Sequence, residues 1–236
     1  MTEISIPSKD KGNFMAYVAV PKQTPAPAIV VIQEIFGVNA ELRAKCDELA
    51  RQGFIACCPD LFWRMEPGVQ LTDKTEGEWA KAFDFFKRFD IDKGIEDLRQ
   101  TVHVMKGYAG SSGKVGCVGY CLGGKLAYLM AARTNVDCSV GYYGVGIQDM
   151  LKEAAKIKNP LMLHIAEDDK YVPPEAQQAI KAGLAKNKLV TIHSYAGVDH
   201  AFARGGGQHY DEAAATAANK RTLEFFRNNL DRAMAA

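Results

Sequence analysis

Apolar and polar positions along this chain alternate between two periods. Short runs rich in β-branched residues read as strands: Phe14–Val20, Ala28–Glu34, Phe54–Asp60, Val115–Tyr120, Cys138–Gly144, Pro160–Ala166 and Leu189–Gly197. Between them Asn39–Gly53, Glu78–Phe89, Gly94–Tyr108, Gly124–Arg133 and Pro173–Lys186 carry the spacing of helices, and Ala213–Leu230 supplies a last one. Strand and helix in alternation, with strand runs apolar on both faces, predict a mostly parallel sheet with helices on both faces, an α/β, doubly wound fold. No repeat, low-complexity tract or linker interrupts the pattern, so a single α/β domain over residues 1–236 is expected. The one long irregular stretch, Leu61–Glu78, reads as a lid or binding loop.

Composition narrows the function classes. The net charge is +1, which gives no electrostatic case for nucleic acid or anionic lipid. No apolar run reaches the roughly 18 residues of a membrane span, and MTEISIPSKDKG lacks the basic-then-apolar order of a secretory signal. The six cysteines, Cys46, Cys57, Cys58, Cys117, Cys121 and Cys138, fall mostly inside core-like segments. A cytoplasmic setting with reduced thiols follows. No CxxC pair or Cys/His cluster has metal-ligand spacing, so no metal is expected.

Gly119-Tyr120-Cys121-Leu122-Gly123-Gly124 joins an apolar strand to a helix. In an open α/β sheet, ligands gather at the carboxyl ends of strands. A sharp turn there forces its central residue into an unusual backbone conformation and needs neighbours without a Cβ. This is a GxSxG nucleophile elbow with cysteine in the serine position. Alone, the pattern could equally be a strand-ending turn with a space-filling cysteine. A thiol nucleophile needs a histidine, and the histidine a carboxylate, in chain order nucleophile, acid, histidine. The strand Pro160–Ala166 runs into Glu167, Asp168 and Asp169, and the next runs into His200. Of the five histidines, His103 lies in a helix, His164 and His193 in strands and His209 in a polar stretch, leaving His200 with both the order and the loop position. Asp169 could instead cap the following helix, with Asp168 or Glu167 as the acid.

Gln33–Asn39 (QEIFGVN), Cys58–Phe62 (CPDLF), GKVGCVGYCLGG, Val140–Gly146 (VGYYGVG) and Asp199–Arg204 (DHAFAR) together resemble dienelactone hydrolase, or carboxymethylenebutenolidase, over about Ile4 to Leu230. The resemblance implies an α/β-hydrolase fold and hydrolytic opening of an unsaturated lactone through a thioester on cysteine. It assigns Cys121 as nucleophile, His200 as base and Asp169, rather than Asp168, as orienting carboxylate. Glu34 would sit beside the thiol and help produce the thiolate, and the amides of Ile35 and Leu122 would form the oxyanion hole. Arg204 matches a family arginine that grips a substrate carboxylate. A second such arginine has no counterpart, because Trp79 stands near that position; the nearby cations Arg64, Lys81, Lys87 and Arg88 are out of register. Ala201 also replaces a polar residue found in the better-known enzymes. Phe36, Trp79, Phe83, Phe86, Tyr142, Tyr143 and Phe202 are candidate pocket walls.

The expectation is a monomeric enzyme acting on a small carboxylated lactone or ester, without cofactor, nucleic acid or membrane partner. The sequence leaves room for a carboxylesterase or another lactonase on the same triad, and for a thiol sensor or binding protein.

Overall fold

A computed structural model describes residues 2–230. The chain divides between Gly116 and Cys117 into two compact units. In the first, strands β1 (Thr2–Pro7), β2 (Asn13–Ala19), β3 (Ala26–Ile32) and β4 (Ile55–Pro59) are hydrogen-bonded in the order β1-β2-β4-β3. β1 and β4 each pair antiparallel with β2, whereas β3 and β4 are parallel. Helices α1 (Ala40–Arg51), α2 (Glu76–Arg88) and α3 (Ile91–Lys106) complete this unit. Strand β5 (Ser111–Tyr120) runs from the first unit into the second. There α4 (Leu122–Arg133), β6 (Cys138–Tyr142), a 3-10 segment Gln148–Lys156, β7 (Leu161–Ala166), α5 (Pro174–Leu184), β8 (Val190–Tyr195) and α6 (Glu212–Leu230) follow. β6, β7 and β8 are parallel neighbours.

The expected mostly parallel α/β sheet is present. β4, β6 and β7 are buried at every residue. Successive side chains of a strand point to opposite faces, so both faces are covered. In the first unit α1 packs on β2, β3 and β4, and α3 on β1, β3 and β4; in the second α4 and α6 pack on β6 and β7. All seven strands expected from sequence form, with ends shifted by up to four residues, and β1 and the 3-10 segment are additions. β1 escaped because only Ile6 of its six residues is buried, as suits an edge strand.

The stretch read as a lid or binding loop is pinned along its length. Asp60 accepts from the amides of Phe62 (2.9 Å) and Gly68 (2.8 Å), closing the loop on itself. Leu71 N–H donates to Phe36 O at 2.8 Å, and Gly37 pairs with Gln70. Gly37 needs its φ of +75°, and a Cβ there would strike the Val69 carbonyl. The Arg64 guanidinium grips the buried Asp97 carboxylate at 2.8 and 3.1 Å. Thr75 then caps α2, accepting from Glu78 N–H at 3.2 Å. Among the described residues, no helix is long and apolar enough to cross a membrane.

Candidate active site

β5 ends at Tyr120, and α4 starts at Leu122. The single residue between them, Cys121, has φ 55° and ψ −113°. Its amide donates to Tyr142 O at 3.1 Å, and its carbonyl accepts from Gly124 N–H at 3.0 Å, so the turn is held from both sides. Gly119 is required because a Cβ there would collide with the Gly123 carbonyl; one at Gly124 would meet Tyr142 O. Leu122 opens the helix, so its amide has no acceptor within the helix.

After β7 the chain turns at Asp169, which is 2% exposed, while Glu167 and Asp168 are exposed. One oxygen of Asp169 accepts from the amides of Tyr171 (2.8 Å) and Val172 (3.2 Å). The other lies 2.7 Å from Nδ1 of His200, which is itself 5% exposed. Of the three acids, Asp169 is thus the one seen against the imidazole. Asp169 takes Nδ1 of the ring, and the Cys121 sulfur lies near enough to influence the proton on the imidazole. Burial opposes charge on this imidazole, but the Cys121 sulfur and the Asp169 carboxylate outweigh it and raise its pKa from 6.5 to about 10. Cys121, Asp169 and His200 are thus one contiguous constellation.

Among the described residues, the non-glycine residues with positive φ are Cys121, Tyr143 (37°) and Ala201 (64°). The first and last bracket the thiol and the imidazole. The Tyr143 ring stands edge-on to His200, with centroids 5.0 Å apart. Strained backbone costs about 1–3 kcal/mol per residue, and such costs concentrate where side chains must be aimed. Arg204 is also buried, and its amide closes a turn on Ala201 O at 2.9 Å.

Three supporting residues were missed in the sequence. Tyr171, 41% exposed, packs edge-on to His200 at 5.0 Å. Asp199 accepts the His200 amide at 2.6 Å. Gln177 donates to the carbonyls of Ala166 (3.1 Å), Glu167 (3.1 Å) and Val172 (2.8 Å), bracing the acid loop. Gln177 carried a readable signal, since it lies on the buried face of α5 with Ile180 and Leu184. Of the other proposed wall residues in this unit, Tyr142 turns its hydroxyl into the core, 2.6 Å from Thr222 and 3.1 Å from Asn219. Phe202 is fully buried against Tyr143 and Tyr195.

In the first unit, Glu34, Ile35 and Phe36 follow β3 after Gln33 and are buried. Trp79 packs at right angles to Phe36 (5.0 Å) and stacks on Phe83 (5.5 Å), and its indole N–H donates to Asp73 O at 2.9 Å. Phe86 lies on the same helix and is half-buried. Three of the four cations considered as a second carboxylate anchor are committed elsewhere: Arg64 to Asp97, Lys81 to Glu66 and Arg88 to Asp84. Among the described residues, no group of three His, Cys, Asp or Glu side chains could hold a metal ion.

The sequence profile of the dienelactone hydrolase family matches residues 14–230. A provisionally assigned carboxymethylenebutenolidase of Azospirillum brasilense is 50% identical over 235 residues, 98% of this chain and 100% of its own. A carboxymethylenebutenolidase of Pseudomonas putida is 43% identical over 222 residues, 94% of each chain. A crystal structure of a provisionally assigned dienelactone hydrolase from Klebsiella pneumoniae superposes with a TM-score of 0.83 at 27% identity, covering 95% of this chain and 97% of its own. Spanned nearly end to end by these relatives, with the α/β-hydrolase fold, the chain belongs to the dienelactone hydrolase family and is a hydrolase of ester bonds.

Proposed function

We propose that this enzyme opens an unsaturated, carboxylated lactone through a thioester on Cys121. One observation supports this: a thiol on a strained turn shares a buried constellation with an imidazole whose Nδ1 lies 2.7 Å from a buried carboxylate, and the sulfur raises the pKa of that imidazole. The sulfur attacks the lactone carbonyl carbon, and the Leu122 amide donates to the developing oxyanion. Collapse breaks the ring C–O bond, giving a thioester and an enolate that takes the proton from the His200 imidazolium as it becomes a ketone. The Cys121 charge is the largest influence holding the proton on His200, and acylation removes it. His200 then becomes a competent base for water, which attacks the thioester and releases the acid and the thiol. Arg204 grips the substrate carboxylate. Glu34 as aid to thiolate formation, Ile35 as second oxyanion donor, and Phe36, Trp79 and Tyr143 as substrate contacts rest on the family resemblance.

The second reading is a hydrolase of simpler esters or another lactone on the same triad. Its support is Trp79, locked among aromatic rings where the family's second arginine is expected, with three nearby cations already ion-paired. Steady-state turnover of a carboxylated dienelactone and a neutral aryl ester separates the two. The first reading expects higher kcat/KM on the dienelactone, with Arg204→Ala erasing that preference. Preference for the neutral ester supports the second, and no turnover of either overturns both.

A further inference from the structure

The first unit holds a concavity of about 340 Å³, all of whose lining residues lie between Glu3 and Gln70. Alternation along β2 puts Asn13, Met15 and Tyr17 on one face and Phe14, Ala16 and Val18 on the other. The register sets Tyr17 opposite both Glu3 of β1 and Cys58 of β4, so these side chains share the floor. α1 packs on β2 and β4, yet Met15 remains 46% exposed, so the helix does not cover the whole of this face. The pinned loop after β4 supplies the opposite wall with Pro67, Val69 and Gln70.

The concavity has a cation at its edge. The Arg43 guanidinium lies over the Tyr17 ring, 5.2 Å from its centroid. Its Nε donates to Val38 O at 3.3 Å, and Nη2 donates to Glu3 at 3.2 Å. A guanidinium carries five N–H donors. Among the described residues those two bonds leave donors to spare on Arg43. The Glu3 side chain is 50% exposed, and an exposed ion pair of this kind is worth little, so a competing carboxylate can take its place. Asp60, also in the wall, has both oxygens engaged by backbone amides.

We propose that this concavity binds a small aromatic or unsaturated carboxylate, with its planar body on the exposed Met15, beside the buried Tyr17, and its carboxylate on Arg43. The volume lies within the range of about 300–1,000 Å³ usual for small-molecule sites. The apolar Met15 and the planar cationic fork match that ligand class, whereas a neutral ring would leave the fork's spare donors unused. The site shares no residue with the Cys121 constellation and does not depend on the proposed reaction.

2-Naphthoate serves as the probe, with 2-naphthamide as its uncharged counterpart. In protein carrying ¹³C-methyl methionine, 2-naphthoate is expected to shift the Met15 methyl resonance saturably. Isothermal titration should show an affinity about tenfold or more weaker in Arg43→Gln, the scale of a lost charge-assisted hydrogen bond. Arg204→Ala should retain the Met15 response. An unmoved Met15 resonance on wild-type protein would overturn the proposal without reference to any variant. So would equal binding of naphthoate and naphthamide, or a Met15 response that disappears in Arg204→Ala.

Discussion

At the scale of single residues, the central interaction is electrostatic. His200 is buried, yet its pKa stands near 10, because sulfur on one side and carboxylate on the other outweigh desolvation. Removing the sulfur should therefore lower its titration. In Cys121→Ala, the His200 imidazole signals followed by NMR are expected to titrate well below pH 10, closer to the ordinary 6.5. An unchanged midpoint would mean that the thiol and imidazole are not coupled. Asp169→Asn keeps the shape but loses the charge and the tautomer control, and should slow turnover by roughly 10⁴-fold, the scale seen when such a carboxylate is replaced elsewhere. Activity within tenfold of wild type would remove Asp169 from the triad. Chain order and loop position alone pointed to Cys121 and His200, because a nucleophile and a base need particular chemistry at strand ends. The choice of Asp169 over its acidic neighbours needed either the family pattern or the fold, since three consecutive acids look alike until two are seen to face solvent. Tyr171 and Asp199 were invisible, because an aromatic ring and an aspartate in loops carry no periodic signal.

Among elements, the junction of β5 and α4 governs the site. Its glycines were legible as a turn, but which of them is sterically indispensable depends on contacts across the turn. A methyl group at Gly119 would occupy the space of the Gly123 carbonyl, and that carbonyl belongs to the first turn of α4. Gly119→Ala should accordingly lower unfolding stability by about 1–3 kcal/mol or more and displace the thiol, as overpacking does. Urea denaturation beside turnover checks this; a variant with unaltered midpoint and rate would show that the elbow tolerates a Cβ. The strands of both units were readable from apolar runs because burial on both faces leaves few polar positions in them. β1 was not, since an edge strand with one buried residue has almost no pattern to read. The Gln148–Lys156 segment lacked the length and periodicity of the helices around it.

For the molecule as a whole, two buried histidines set opposite pH limits on folding. His164 is 1% exposed, and burial, then His193 and Arg221, depress its pKa to about 3. The unfolded chain takes up that proton first, so the stability from burying neutral His164 is complete above pH 6.5 and is lost as pH falls toward 3. His200 has the opposite sign: its raised pKa contributes stability that is complete below pH 6.5 and is lost as pH rises toward 10. Unfolding free energies from denaturant titrations at stepped pH should therefore peak between these flanks. Replacing His164 with Gln should shallow the acid flank, and an acid flank of unaltered slope would contradict its assignment. The +1 net charge neither adds to nor opposes this balance strongly, and it is consistent with a small-molecule substrate rather than a polyanion. The proposed catalysis depends most on covalent attachment to one sulfur. Enzyme mixed with a carboxylated dienelactone, acid-quenched within the first turnovers and weighed intact by mass spectrometry, should carry one acyl group. Fragmentation should map that group to Cys121, and it should disappear as hydrolysis completes. Steady turnover with the adduct on another residue, or undiminished turnover by Cys121→Ala, would contradict it.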